Sequence, residues 1–214
     1  MEKKFDILTL GELLIDFTHN GVSSQGNGLF EANPGGAVCN VLAMMNKLGH
    51  SAAYMGKVGD DIFGHLLKKT LEEVSINTEC MLMDKDARTT LAFVANDETG
   101  DRSFSFYRNP GADMMFTADE VNEDAIAASR IFHFGTLSMT HDKVREATRK
   151  AIELAEDAGA IISMDPNLRP MLWKDLEEAR EQVLYGLGHC QILKISDNEI
   201  QWLTGESDYT AGVH

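Results

Sequence analysis

The sequence of 214 residues has little cysteine and no metal-type cysteine pair. Its three cysteines, Cys39, Cys80 and Cys190, are odd in number, far apart and outside any spacing such as C-x-x-C. They are therefore expected to be free thiols rather than metal ligands or disulfides. Because free thiols are typical of a reducing compartment, we predict a cytoplasmic protein.

Long apolar runs and excess positive charge are also missing. No stretch approaches the roughly 20 apolar residues of a membrane span, and an acid stands at position 6 where the apolar core of a secretion signal would begin. Nineteen Lys and Arg against 34 Asp and Glu give a net charge of −15, which would repel nucleic acid. Membrane and nucleic-acid partners are not expected. A phosphorylated ligand would need local cations, for which the candidates are Lys57, Arg88, Arg108, Arg169 and Lys194.

Several well-known catalytic motifs do not occur in the sequence. There is no G-x-x-x-x-G-K-[ST] phosphate loop, no H-E-x-x-H zinc motif and no G-x-S-x-G nucleophile turn. The seven histidines lack metal-ligand spacing. His133 lies in an apolar run and is expected to be a core residue rather than a base.

What the chain does contain is an alternation of two hydrophobic periods. Continuous apolar runs predict strands at 5–10, 52–55, 130–134, 160–164 and 191–195. Helical spacing predicts helices at 38–48, 63–74, 143–157 and 175–187, and a further helix from Ser196 to near Gly205. This order predicts βαβ units, a parallel sheet with helices on both faces, and an α/β fold.

Two segments depart from that alternation. Residues 90–96 and 102–107 flank a turn-like sequence at 97–101 and predict a hairpin. In its second arm Phe104 and Phe106 alternate with serines, so one face is apolar and needs cover. Residues 14–18 and 28–31 could complete a small separate sheet that closes on a ligand or on a second subunit.

Polar residues follow the predicted strands of the parallel sheet, where ligands of open α/β sheets bind. They are Gly11-Glu12, Gly56-Lys57, Gly135-Thr136, Asp165-Pro166-Asn167 and the run from Ser196 to Glu199. Loops are polar in any case, and Ser196 with Glu199 also forms a helix capping box that needs no ligand. Gly35-Gly36 could admit a ligand close to the backbone or simply form a turn into the next helix. These residues alone predict an α/β enzyme-like domain with a polar site.

Particular strings make the sequence resemble one family. They are Gly11-Glu12-Leu13-Leu14-Ile15-Asp16, Pro34-Gly35-Gly36-Ala37 with Asn40, the run from Gly56 to Gly64, Phe106-Tyr107-Arg108-Asn109-Pro110 and Asp165-Pro166-Asn167-Leu168-Arg169. Their order and spacing resemble the PfkB/ribokinase family of ATP-dependent carbohydrate kinases, with fructokinases as the most similar member type.

The resemblance implies a fold and an activity. The fold is a ribokinase-like three-layer αβα sandwich with a mainly parallel sheet and a small β-sheet lid, formed by segments near 14–33 and 88–108. The activity is transfer of the γ-phosphoryl of MgATP to a sugar primary hydroxyl, with fructose expected and 2-keto-3-deoxygluconate or ribose as alternatives. ATP, Mg²⁺ and a monovalent cation such as K⁺ are the implied cofactors, and a homodimer through the lid is the implied assembly. A non-enzymatic sugar-binding or regulatory module is the alternative from another class.

The resemblance also implies roles for individual residues. Asp16 and Asn40 would bind sugar hydroxyls, Gly35 and Gly36 would bring the backbone against the sugar, and Arg88 and Arg108 would reach over it. Asn167 and Arg169 would lie near sugar or phosphates, Asn167 and Lys194 would contact the nucleotide, and Glu199 would order water around Mg²⁺, although Ser196 stands where the family has Asn. The family's catalytic base, the Asp of a G-A-G-D motif, does not occur, and Gly111-Ala112-Asp113 is a look-alike at the wrong place. Residues 1–214 are therefore expected to form an incomplete domain that is inactive alone, with the base beyond His214.

Overall fold

A computed structural model describes residues 3–96 and 102–212 of the chain. Its strands form two sheets. They are β1 (Phe5–Leu10), β2 (Leu14–Val22), β3 (Gly28–Gly35), β4 (Ala52–Gly59), β5 (Asn77–Asp84), β6 (Leu91–Asn96), β7 (Arg102–Tyr107), β8 (Ser129–Gly135), β9 (Ile161–Asp165) and β10 (Ile192–Leu193). The helices are α1 (Ala37–Lys47), α2 (Ile62–Glu73), α3 (Glu123–Ala127), α4 (Asp142–Asp157), α5 (Leu176–His189), α6 (Asp197–Thr204) and α7 (Tyr209–Gly212).

The larger sheet has six strands in the order β10-β9-β8-β1-β4-β5, and every neighbouring pair is parallel. Helices cover both faces. On one face α4 buries Val144, Ala147, Ala151 and Ile152, which recur at intervals of one helical turn. On the other, α1 buries Val38, Cys39 and Leu42. The predicted three-layer α/β fold is confirmed.

The small sheet has the order β3-β2-β6-β7. The strand pairs β2–β3 and β6–β7 are antiparallel, and β2 joins the two hairpins by parallel pairing with β6. The predicted small sheet is confirmed, although β2 and β3 are longer than expected because their pairing continues from Leu14–Gly35 to Val22–Gly28. The predicted turn at 97–101 lies outside the described residues.

Other boundaries also differ from the sequence-based prediction. Strand β5 was missed because only the second half of its sequence, NTECMLMD, is apolar and it shows no strict alternation; it forms a strand by pairing with β4. The strand predicted at 191–195 is reduced to the two residues of β10. Among the described residues no helix has the length and apolarity to cross a bilayer.

Candidate functional site

A cavity of about 410 Å³ lies between the small sheet and the carboxyl ends of the parallel strands. It brings together five of the residues predicted from sequence, namely Asp16, Gly36, Asn40, Asn167 and Arg169. They come from β2, the turn before α1, the first turn of α1 and the loop after β9. Positions up to 153 residues apart in sequence therefore share one site, as expected at this edge of a parallel sheet.

The turn before α1 forms part of the cavity wall, and both of its glycines are required by their surroundings. Gly36 has φ of +121°, which L side chains rarely adopt, and a Cβ there would collide with the carbonyl oxygen of Glu12. A Cβ on Gly35 would collide with Oδ2 of Asp16. Bare backbone at both positions therefore keeps the carboxylate of Asp16 and the start of α1 close together.

Asp16 presents a carboxylate in the cavity. The residue is half-buried, and none of the hydrogen bonds or ion pairs found among residues 3–96 and 102–212 uses its side chain. Burial raises the pKa of Asp16, and the nearby Arg169 guanidinium opposes that rise. A half-buried carboxylate without a protein donor is suited to accept hydrogen bonds from ligand hydroxyls.

Arg169 connects the loop after β9 to the small sheet. Its guanidinium carbon lies 5.2 Å from the ring centroid of Phe104, within the range of a cation–π contact. Its Nη1 donates to the carbonyl oxygen of Leu168 at 3.1 Å. The side chain therefore stands between the aromatic wall of the cavity and the charge of Asp16.

Asn40 and Asn167 present amides at the other side of the cavity. Asn40 is exposed on the first turn of α1. Asn167 has a left-handed φ of +46°, and its backbone N–H donates to Oδ1 of Asp165 at 3.1 Å. Asparagine tolerates this backbone region better than most residues, so the loop can turn sharply there.

Glu12 is a lining residue to which sequence reasoning gave no role beyond its place after a strand. It is only 2% exposed, and its Oε1 accepts from the backbone N–H of Ala37 at 2.7 Å. Its Oε2 has no hydrogen-bond partner among the described residues. Burial raises the pKa of Glu12 to about 7. The signal in the sequence was an acid placed directly after a buried strand.

Aromatic residues of the second hairpin form the remaining wall. Phe104 and Phe106 line the cavity beside Val94, whereas Ser103 and Ser105, which alternate with them, are exposed. The alternation seen in the sequence therefore identified the face correctly, and the structure shows that this face covers the cavity.

Three of the candidate cations lie elsewhere. Arg108 is buried, and its guanidinium donates to Asp113, to Thr140 and to the carbonyl oxygen of Leu137. Because its donors are used in this internal network, we no longer assign Arg108 a direct contact with substrate. Arg88 is exposed and does not line the cavity. Lys57 is buried, with Nζ 2.6 Å from Oε1 of Glu120.

A second cavity of about 390 Å³ adjoins the first and shares Asn167 and Arg169 with it. It is lined by Lys194 and Glu199, whose predicted contacts with the nucleotide and with water around Mg²⁺ remain predictions. Lys194 Nζ lies 3.1 Å from Oδ2 of Asp165 and remains largely exposed. The side chain of Lys194 can therefore reach a phosphate group by changing rotamer.

Glu199 forms the helix capping box with Ser196 that the sequence predicted. Its Oε2 accepts from the backbone N–H and the hydroxyl of Ser196 at 2.9 and 2.6 Å, which completes the capping box of α6. Its Oε1 accepts from the backbone N–H of Leu168 at 2.7 Å. Oε2 accepts two hydrogen bonds, whereas Oε1 accepts one and keeps a further lone pair, so the residues present fit contact of Oε1 with a metal-bound water rather than direct ligation. In the described part of the chain no group of three or more His, Cys, Asp or Glu is placed to hold a metal ion.

The fold is that of a sugar kinase family. Residues 4–213 match the pfkB family carbohydrate kinases, and the chain belongs to that family. It is 45% identical over 202 residues to probable fructokinase-2 of Arabidopsis thaliana. The aligned residues cover 93% of this chain and 61% of that relative. The chain therefore spans about three fifths of the length of that relative.

The chain is also similar to solved structures of fructokinases. Fructokinase from Xylella fastidiosa with bound ATP superimposes with a TM-score of 0.87 at 34% identity, covering 96% of this chain and 63% of that one. A double mutant of fructokinase from Vibrio cholerae O395, in a form with bound fructose, ADP and potassium ion, superimposes with a TM-score of 0.86 at 28% identity. That comparison covers 100% of this chain and 67% of the other.

Proposed function

We propose that this chain supplies the sugar-binding part of an ATP-dependent fructokinase. The observation that carries the proposal is the cavity in which the half-buried carboxylate of Asp16, the amide of Asn40 and the Gly35-Gly36 turn lie together. A carboxylate that accepts and an amide that both donates and accepts are suited to a polyol. The resemblance to named fructokinases supports fructose as the sugar.

The roles of the cavity residues follow from their positions. Asp16 and Asn40 hydrogen-bond sugar hydroxyls, and the bare backbone at Gly36 lets the sugar approach closely. Phe104 covers the sugar and is held by the guanidinium of Arg169. Together these contacts fix one hydroxyl and exclude water, which is how a binding site contributes to phosphoryl transfer.

The second cavity is the proposed position of the nucleotide phosphates. Lys194, Arg169 and Asn167 line it and would contact phosphate oxygens, while Glu199 would accept from a water bound to Mg²⁺. MgATP supplies the phosphoryl group, and a K⁺ ion is a further proposed cofactor, since the comparable Vibrio protein binds potassium. We propose that the catalytic base lies outside the 214 residues, so that this chain alone does not turn over ATP.

The placement of Arg108 bears on the keto-acid alternative. A carboxylate substrate such as 2-keto-3-deoxygluconate would be suited to a pair of arginines, for which Arg108 and Arg169 are the candidates in the sequence. Because Arg108 is committed to Asp113 and to the core, a single candidate of that pair remains in the cavity. The site therefore favours a neutral sugar.

The outer face of the small sheet supports a homodimer. Phe30 and Tyr107 are 51% and 65% exposed there, and both rings pack against Phe93. An apolar face of this kind on a small sheet is stabilised when a second copy covers it. We propose a cytoplasmic homodimer formed through this face, which a measurement of molar mass by light scattering across a range of concentrations would test.

Titration of the purified chain with fructose by calorimetry tests the proposed function. We expect fructose to bind, and the variant D16N to bind at least about tenfold more weakly, since a charged acceptor is lost. The variant D157N, which changes an exposed carboxylate at the end of α4, is the matched control and should bind like the parent. Equal affinity of D16N and the parent, or preference for 2-keto-3-deoxygluconate over fructose, would contradict the assignment.

A further inference from the structure

The hairpin formed by β6 and β7 covers the cavity, and both of its ends are held by one buried carboxylate. Thr90 directly precedes β6 and Arg108 directly follows β7. Asp113 Oδ1 accepts from the hydroxyl of Thr90 at 2.5 Å. Asp113 Oδ2 accepts from Nε of Arg108 at 2.8 Å and lies 2.6 Å from its Nη2. The ends of the two arms are thus tied to each other through a single side chain.

This group is isolated from solvent and packed tightly. Thr90, Arg108 and Asp113 are 1%, 7% and 4% exposed. Gly111 lies directly over them, because a Cβ at that position would collide with the Thr90 hydroxyl and come within 2.6 Å of Asp113 Oδ1. A buried ion pair whose donors and acceptors are matched holds its geometry firmly, and removal of one partner leaves an uncompensated charge.

The same network continues to the opposite wall of the cavity. Arg108 Nη2 donates to the carbonyl oxygen of Leu137 at 2.9 Å, and Nη1 donates to the hydroxyl of Thr140 at 2.8 Å. Leu137 lines the cavity, as do Val94 and Phe104 of the hairpin. Asp113 therefore sets the position of the hairpin relative to the wall that it faces.

We propose that Asp113 is a positioning residue, which fixes the β6–β7 hairpin over the cavity and so sets its affinity for sugar. The link to sugar affinity rests on the proposed function, whereas the anchoring of the hairpin does not. Asp61 Oδ2 also accepts from the backbone N–H of Thr89, at 2.9 Å, beside the start of β6. Asp61 thus holds the first arm of the hairpin, whereas Asp113 holds both arms. Loss of the Asp113 carboxylate frees both arms together.

Hydrogen exchange without ligand tests the anchoring. In D113N, which keeps the shape and removes the charge, we expect amide exchange in β6 and β7 to rise at least about tenfold while β1 and β8 stay protected. T90V removes one hydrogen bond and leaves the ion pair, so it should raise exchange less, and mainly in β6. The controls are E178Q, which removes the negative charge paired with Arg145 at 2.6 Å between α5 and α4, and T148V, which removes another buried hydroxyl. Neither should change exchange in the hairpin.

Unchanged exchange in the hairpin of D113N would overturn the proposal, and so would an equal rise in β1 and β8, because Asp113 would then be a general stabilising residue. If D113N does not fold, T90V decides by the same criteria. The second measurement is fructose titration, where we expect D113N to bind about tenfold more weakly than the parent. Raised exchange with unchanged affinity would refute the link to binding. If the parent itself binds no fructose, the proposed function fails and the anchoring is judged on exchange alone.

Discussion

The buried carboxyl of Glu12 makes the stability of this protein depend on pH in an unusual direction. Burial raises its pKa from 4.5 to about 7 in the folded protein, opposed by the charge of Arg108 and assisted by that of Asp113. Between these values the folded state keeps a proton that the unfolded state has already released. The contribution of Glu12 to stability therefore falls as pH rises from about 4.5 to about 7, and this loss is complete above the folded pKa.

The size of this effect follows from the shift. One pKa unit corresponds to about 1.4 kcal/mol, so the shift of Glu12 predicts a loss of about 3 kcal/mol between those limits. E12Q cannot ionise, but its amide oxygen can still accept from the N–H of Ala37. The free energy of unfolding of E12Q minus that of the parent should therefore increase by about 3 kcal/mol across this pH range.

Urea unfolding of both proteins at several pH values between about 4.5 and about 8 measures this difference. The change with pH carries the prediction, because any constant cost of the buried amide cancels. A difference that stays constant within about 0.5 kcal/mol would refute the burial argument, and one that decreases with pH would reverse its sign. Titrations elsewhere in the chain are common to both proteins and cancel as well.

Three further predictions concern other parts of the structure. Burial lowers the pKa of His133 from 6.5 to about 4, so the free energy of unfolding of H133Q minus that of the parent, measured with urea, should increase by up to about 3 kcal/mol on acidification through that interval, since the titration of Glu12 is common to both proteins. G36A should lower the free energy of unfolding by about 1–3 kcal/mol in thermal unfolding and abolish fructose binding. The control G49A is also at positive φ, but no atom lies within 4 Å of the added Cβ, so it should cost about 1 kcal/mol and leave binding intact. R169K keeps the charge but loses the planar contact with Phe104, so calorimetry should show about threefold weaker fructose binding, against about tenfold for R169M. Equal affinities of R169K and R169M would contradict a role for the planar contact.

Local sequence determined much of the fold. The spacing of Val144, Ala147 and Ala151 predicts α4 because a helix brings such positions to one face, and the capping box at Ser196 and Glu199 predicts the start of α6. These signals involve residues within one or two turns of each other. Of the polar residues expected to meet after the strands, Glu12 and Asn167 line the first cavity, and Asn167, Ser196 and Glu199 line the second, because parallel strands place their carboxyl ends at one edge; Lys57 instead pairs with Glu120.

The family resemblance supplied most of the candidate site, and the structure brings Asp16, Gly36, Asn40, Asn167 and Arg169 into one cavity. The sequence could not determine which charged side chains form ion pairs inside the protein and so do not face a ligand. The local sequence around an arginine after a strand is the same whether its side chain faces a ligand or a buried acid.

Only the tertiary structure decided these cases. Arg108 is kept out of the cavity because Asp113, Thr140 and Leu137 present matched acceptors in the core, and the pKa of Glu12 is raised to about 7 because burial removes its carboxyl from water. Desolvation and the pairing of charges depend on atoms distant in sequence, often on another layer of the fold. Local propensity acts over a few residues, so it specifies helices, strands and turns. The partner and the pKa of each charged side chain depend instead on the complete packing around it.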